Sequence, residues 1–379
     1  MSHTQVKAGS GQNTKLNIMI MGLGRIGLAI AKTLHNSGRY QVSGADVNPT
    51  ALDRLQRECS DVQTYLIGGG EYAGILQGQH AVISALSFTE NPKVAQAALE
   101  TGCSYFDLTE DVACTQTIKK MALSAQPGQV FMPQCGLAPG FVGILGHSFT
   151  LEFDELDELK LRVGALPEFP ANQMMYNLTW STEGLVNEYA NPCEAIKNGE
   201  ITLIEPLEGR EHFSISGVEY EAFNTSGGLS NLCHSLKGKV RELSYKTIRY
   251  PGHCELMRFL FRDLRLGDVG ERRDMLLKIL DTSVAVTQQD LVLISVVATG
   301  YKGSVYQQLS RTFLIKHNKH SSAIQLATAS GVCAAMEIIL NKKSDNHTNN
   351  ITGFIEQESI GVDEFLANEF ASTYARAEL

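Results

Sequence analysis

The sequence predicts an α/β protein in which a doubly wound parallel sheet is followed by a second, α+β domain carrying a mixed or antiparallel sheet. Three observations carry that expectation. In the first third, six apolar runs at roughly 16–21, 40–45, 62–67, 80–85, 104–108 and 130–135 each end in a polar or glycine-bearing turn, and most are separated by segments with helical spacing. Runs that are apolar throughout, rather than alternating, suit strands covered on both faces. From about residue 150 the pattern changes to longer segments with period-two character, and 379 residues exceed what one ordinary core accommodates.

Taken in order, residues 1–14 are polar and aperiodic and read as a flexible leader, and residues 15–140 carry the parallel sheet. Asn48-Pro49 and Asn91-Pro92 place an N-cap residue before a proline at the first helical position. Gly38 and Gly102 stand where a left-handed C-terminal cap is wanted. Residues 141–320 form the second domain, with strand-like runs Leu159 to Gly164, Phe213 to Phe223 and Leu291 to Phe313, the last bent into a hairpin at Tyr301 to Ser304. Ser321 to Leu340 is apolar around most of its circumference and predicts a buried helix that returns to the first domain. Residues 341–379 form a tail that starts polar, Lys342 to Asn350, and holds a short helix near Val362 to Tyr374.

Composition excludes several classes. A net charge of -9 and basic residues interrupted by acids, as in Arg258 to Arg273, give no footprint for nucleic acid. The eight cysteines show no CxxC pair and the ten histidines no HxH or HExxH spacing, so no metal site is expected and a reducing, cytoplasmic setting is the default. No apolar run reads as a membrane span. The expected partners are a small molecule and a second copy of the chain, a dimer in the first instance.

The most informative turn is Gly22-Leu23-Gly24-Arg25-Ile26-Gly27, which follows the first strand and opens a helix. Its glycines serve a tight turn, close backbone approach to a pyrophosphate and close helix–strand packing, with phosphate at the helix N-terminus; this is the Rossmann arrangement. Asp46 ends the second strand 19 residues beyond Gly27, where a carboxylate accepts ribose hydroxyls and repels a 2'-phosphate. With Val47 and Asn48 offering no cation, NAD is expected over NADP. Ala85, Leu86 and Ser87, after the fourth strand, should run along the ribose and pyrophosphate. Asp107 and Leu108, after the fifth, should approach the nicotinamide, with a helix N-cap as the other reading of Asp107.

Further motifs follow: Cys135-Gly136-Leu137-Ala138-Pro139-Gly140, Trp180-Ser181-Thr182-Glu183-Gly184-Leu185, the run Val218 to Leu229, and Lys246-Thr247-Ile248-Arg249-Tyr250-Pro251-Gly252-His253. Together they resemble the saccharopine dehydrogenase family over about residues 16–340, and the ending Arg-Tyr-Pro-Gly-His resembles its lysine 6-dehydrogenase branch. The resemblance implies NAD-dependent oxidative deamination of an amino acid's terminal amine to a semialdehyde.

Within that chemistry Arg249 suits the substrate carboxylate, because guanidinium binds it in bidentate fashion. His253, set behind Pro251-Gly252 where a turn would expose it, is the leading acid/base candidate. Glu183 and Asp107 are alternatives, as base or as counter-ion to the ammonium. Thr225, Ser226, Pro139 and Gly140 complete the expected substrate contacts. Cys135 and Cys254 read as packing residues. Two competing functions remain open: a saccharopine or opine-type reductase, and a nucleotide-sensing scaffold without catalysis.

Overall fold

The computed structural model describes residues 15–68, 70–229, 231–344 and 351–379. The expected leader and the end of the polar segment after Lys342 lie outside the described residues. Strands β1 (Leu16–Met21), β2 (Tyr40–Asp46), β3 (Gln63–Leu66), β4 (Ala81–Ser84), β5 (Ser104–Asp107) and β6 (Val130–Met132) pair in parallel. Ile18, Met19, Ile20 and Met21 are all fully buried, because helices cover both faces of the sheet, as their unbroken apolarity requires.

The second sheet has eight strands: β7 (Glu155–Pro167), β8 (Cys193–Lys197), β9 (Glu200–Ile204), β10 (Glu211–Ile215), β11 (Val218–Asn224), β12 (Val240–Arg249), β13 (Asp290–Lys302) and β14 (Val305–Lys316). It is mixed: β12 lies parallel to β7, whereas β13 runs antiparallel to β7 and β14. The run from Phe213 to Phe223 is not one strand but a hairpin. Ser216 and Gly217 both take positive φ, 52° and 81°, the two-residue geometry that matches strand twist, and Ile215 faces Val218 across it.

After the second sheet the chain comes back. The helix Ala323–Ser344 is capped by Asp290 at the start of β13, whose carboxylate accepts from the backbone N–H groups of Ala323 and Ile324. It packs on the helix Arg25–Asn36, and Tyr40 donates to its Glu337 at 2.8 Å. By length and composition, Ala323–Lys343 could cross a membrane, at a mean hydropathy of 1.7, which corrects the expectation that no run reaches that length. Its most apolar window is 83% buried inside this fold, since the helix fills the space between the two sheets.

The tail adds a strand that the sequence reading lacked, β15 (Gly353–Phe354), beside β6, completing the order β15-β6-β5-β4-β1-β2-β3. Two residues are too few to show periodicity. Beyond it, helix Val362–Ala367 and Tyr374 close over Phe141, with the Phe141 and Tyr374 ring centroids 4.1 Å apart.

The two sheets meet at the turn Cys135 to Gly140, where the long helix passes very close. A Cβ on Gly331 would lie 2.4 Å from the Gly136 carbonyl oxygen. Gly331→Ala is expected to destabilise the protein by about 1–3 kcal/mol, the cost of forcing atoms into a filled core. A lowered urea midpoint at unchanged m would show it, with Gly74→Ala, where nothing lies within 4 Å, as the neutral control.

Candidate active site

The carboxyl ends of β1, β4, β5 and β6 face β7 and β12 across a cleft of about 220 Å³. This is where an open parallel sheet presents its ligand-binding loops.

On one wall lies the glycine turn. Gly22, at φ +87°, lets the Ala85 carbonyl approach: a Cβ there would sit 2.9 Å from that oxygen. At Gly27, in the first turn of the helix, a Cβ would come within 1.8 Å of the Gly22 carbonyl oxygen, so the helix can lie this close to the strand only without a side chain there. Nothing lies within 4 Å of a Cβ on Gly24, the helix N-cap, which makes no side-chain capping bond. Open space at an uncapped helix N-terminus fits a pyrophosphate.

Asp46 accepts from the Leu23 N–H at 2.6 Å and from the Asn48 N–H at 2.8 Å, which fixes its carboxylate at the turn's edge. Arg54, a cation that sequence reasoning did not name, donates from Nη2 to the Leu23 carbonyl at 3.0 Å. Ile26, Ala85, Leu86, Ser87 and Leu108 line the cleft, whereas Val47 projects into solvent at the strand end. Arg25 reaches across to the Trp180 carbonyl at 3.2 Å, tying the turn to the opposite wall.

That opposite wall holds Arg249. It is 2% exposed, donates from Nε to the Tyr189 hydroxyl at 3.0 Å and from Nη1 to the Ile248 carbonyl at 2.8 Å, and lies 5.0 Å from the Tyr176 ring centroid. Burial opposes its charge, but Tyr189, Tyr176 and Glu188 act the other way and its pKa is raised. Among the described residues Nη2 has no protein partner, and Arg249 lines the cleft. The turn beyond it is pinned by the buried Glu221, which accepts from the Gly252 and Cys254 N–H groups at 3.1 and 2.7 Å.

The structure places several expected residues elsewhere. His253 is not exposed on a turn but fully buried behind Arg249. Its Nδ1 donates to the Met174 carbonyl at 2.9 Å, so its Nε2 accepts from the Tyr189 hydroxyl at 3.1 Å, while that same oxygen receives Arg249 Nε. This chain specifies one neutral tautomer. Burial and the Arg249 charge push the imidazole down to about 3, which removes it as an acid/base group near neutral pH.

Asp107 is also fully buried and outside the cleft, and the helix that follows is capped by Asp111 instead. Asp107 accepts from the N–H groups of Thr109 (3.0 Å) and Gln134 (2.8 Å) and from the Tyr105 hydroxyl (2.7 Å); burial outweighs these donors and raises it to about 6. Thr225 is turned to Thr247, 2.8 Å hydroxyl to hydroxyl, and with Ser226 lines a separate cavity beyond Tyr245. Pro139 lines the cleft. Gly140 does not, because it is folded under the Gly136 carbonyl.

Glu183 lies exposed at the cleft rim. Two carboxylates unnamed in the sequence reading join it: Glu110, following Leu108, and Glu188, one helical turn beyond Glu183's neighbour Gly184. Burial, together with Asp111, Asp107 and Glu183, raises Glu110 to about 6. Burial and Glu110 raise Glu188 to about 8, with Arg249 partly offsetting them. The signal for Glu188 was its place on the helix face shared with Gly184, legible only once the helix direction was known.

The sequence matches the family models for the saccharopine dehydrogenase NADP binding domain over residues 18–131 and the saccharopine dehydrogenase C-terminal domain over residues 136–372. Mitochondrial alpha-aminoadipic semialdehyde synthase from Mus musculus is 23% identical over 203 residues, and that from Rattus norvegicus 22% over 204. Each match takes in 50% of this chain but only 21% of the relative. Among solved structures, apo saccharopine dehydrogenase (L-Glu forming) from Saccharomyces cerevisiae shares the fold at a TM-score of 0.77 and 14% identity, covering 95% of this chain and 98% of that one. The DAP dehydrogenase of C. glutamicum, in complex with DAP, gives 0.51 at 11% identity, covering 96% and 99%.

Fold, glycine turn and cleft define a dehydrogenase that uses a nicotinamide dinucleotide. The chain belongs to the saccharopine dehydrogenase family.

Gly24→Asp should abolish dinucleotide binding by placing a carboxylate in the phosphate position. NADH fluorescence titration checks it; binding within about threefold of wild type, less than 1 kcal/mol, would place the pyrophosphate elsewhere.

Proposed function

We propose that the protein catalyses NAD-dependent oxidative deamination of the terminal amine of a dibasic amino acid, with lysine as substrate. One observation carries this reading: the acidic and basic side chains lining the cleft are three carboxyl groups, Glu110, Glu183 and Glu188, and one guanidinium, Arg249. A substrate with one carboxylate and two ammonium groups complements that set. Saccharopine, which brings three carboxylates, would find one cation to share among them and would set the others beside acidic side chains.

In this reading the free Nη2 edge of Arg249 takes the substrate carboxylate as a charge-assisted hydrogen bond. The Tyr189–His253–Met174 chain does not touch substrate; it fixes the guanidinium plane. Leu86, Leu108, Leu137, Val163 and Ile324 supply apolar walls that exclude water and strengthen the charged contacts inside. When bound, the dinucleotide supplies the hydride acceptor. Asp46 supports NAD as that dinucleotide, since a carboxylate held at the edge of the turn accepts ribose hydroxyls and repels a 2'-phosphate.

Initial NADH formation at mildly alkaline pH, with lysine, ornithine and saccharopine as separate substrates and NAD or NADP as acceptor, tests the proposal. Turnover of lysine with NAD is the expected result; activity confined to saccharopine or its precursors would move the enzyme to the reductase branch. Arg249→Met should cost at least about 30-fold in kcat/KM, about 2 kcal/mol, with NADH binding retained. That pattern would also sink a non-catalytic scaffold. Asp46→Ser should raise the NADP-to-NAD ratio of kcat/KM by about tenfold or more, ~1.4 kcal/mol; an unchanged ratio would leave Asp46 without a role in cofactor choice.

A further inference from the structure

Of the three cleft carboxylates, Glu188 differs from the others by burial: it is 7% exposed, on the inner face of the helix Thr182–Ala190. Among the described residues no hydrogen bond or ion pair reaches its carboxylate from the protein. A buried carboxyl without donors is costly, and a group kept in that condition at the wall of a cleft is completed by what enters the cleft.

The groups acting on it come from every side. Arg249 and Tyr245 project from β12, Glu110 from the loop after β5, Cys193 from β8, and Tyr189 follows it on its own helix. Arg249 favours the carboxylate and Glu110 opposes it, but neither balances burial, and the proton is held to about pH 8. His253 and Asp107 have no access to the cleft. Among the described residues Glu188 is therefore the least exposed of the cleft carboxyl groups and the one that changes state in the alkaline range where an amine dehydrogenase works.

We propose that Glu188 is the acid/base residue of this site: its carboxylate takes the proton from the substrate's reacting ammonium and later helps deprotonate the water that attacks the iminium. The inference rests on the deaminase reading above. The balance is simple. The ammonium gives one proton to Glu188; the C–H bond breaks, its electron pair leaves with hydrogen as hydride to oxidised nicotinamide dinucleotide, and C=N forms. The carbon is oxidised and the dinucleotide reduced. Glu188 first gives its proton up to solvent; water then adds to the iminium and its proton passes through Glu188 to the carbinolamine nitrogen, after which the C–N bond breaks, the hydroxyl proton leaves to Glu188 and ammonia departs, giving the aldehyde. Entry of an ammonium beside Glu188 lowers the carboxyl's proton affinity at the moment the base is needed.

The test uses Glu188→Gln and Glu188→Asp. The first readout needs no turnover. Between the unfolded-state value of about 4.5 and the folded value of about 8, the native state keeps a proton that the unfolded state has lost, so Glu188 makes stability fall as pH rises through that window. The Tm difference between wild type and Glu188→Gln should therefore move against the wild type from about pH 5 to about pH 8 and level off above.

The second readout is kcat/KM against pH. Wild type should show a rising limb near pH 8, and Glu188→Gln should lose about 10²–10⁴-fold activity together with that limb. Glu188→Asp should regain part of the rate and the limb, with NADH binding intact in both variants. A glutamine variant that turns over lysine with the wild-type rate and pH profile overturns the assignment while leaving the deaminase reading in place, as does a flat Tm difference. A wild type that oxidises no amine overturns both.

Discussion

The cleft depends on the buried carboxylate of Asp107. Two strand ends that must meet a ligand, those of β5 and β6, are followed by loops whose N–H groups point inward, and Asp107 gathers them by accepting from Thr109 and Gln134 while Tyr105 holds its other oxygen. The Cys135 N–H adds a bond to the Asp107 carbonyl at 2.8 Å. With both loops fixed, Gly136 presents a carbonyl against which Gly140 and Gly331 close without side chains. The turn from the first sheet into the second, and the returning helix, are thereby placed within one packed unit. A neutral pair at this position would lose the charge-assisted strength of those bonds.

Across the cleft the same logic places a cation. Arg249 sits where burial opposes its charge, and it persists because two tyrosines and a neutral histidine orient it and a carboxylate lies nearby. Each partner does one thing. Met174 sets the histidine tautomer, the histidine sets the tyrosine hydroxyl, and the hydroxyl takes Nε, leaving Nη2 without a protein partner among the described residues. Rigid support one layer behind a binding group is what keeps its geometry within the tolerance that chemistry demands.

Much of this was legible in the sequence. The glycine turn, the acidic residue after the second strand and the apolar runs of the first sheet obey local rules, since each is set by backbone sterics and burial within a few residues. The hairpin at Tyr301 to Ser304 is of the same kind. Strand β15 was not legible, because a two-residue edge strand carries no period and exists only through its partner β6. His253 misled for a related reason: a Pro-Gly pair signals a turn, but whether the turn faces solvent or the core is decided by what packs on it, here Tyr176, Tyr189 and Phe223.

By itself the sequence determined the fold class and the glycine turn for a dinucleotide, because those follow from spacing along the chain. Only the tertiary structure decided which ionisable groups face the cleft. Glu188 and Glu110 come from segments far apart in sequence, and Asp107 and His253 are withdrawn from it. Side-chain direction and burial depend on contacts between distant elements, and the same burial that moves Glu188 toward neutrality moves His253 far below it, since removing water penalises whichever form carries charge.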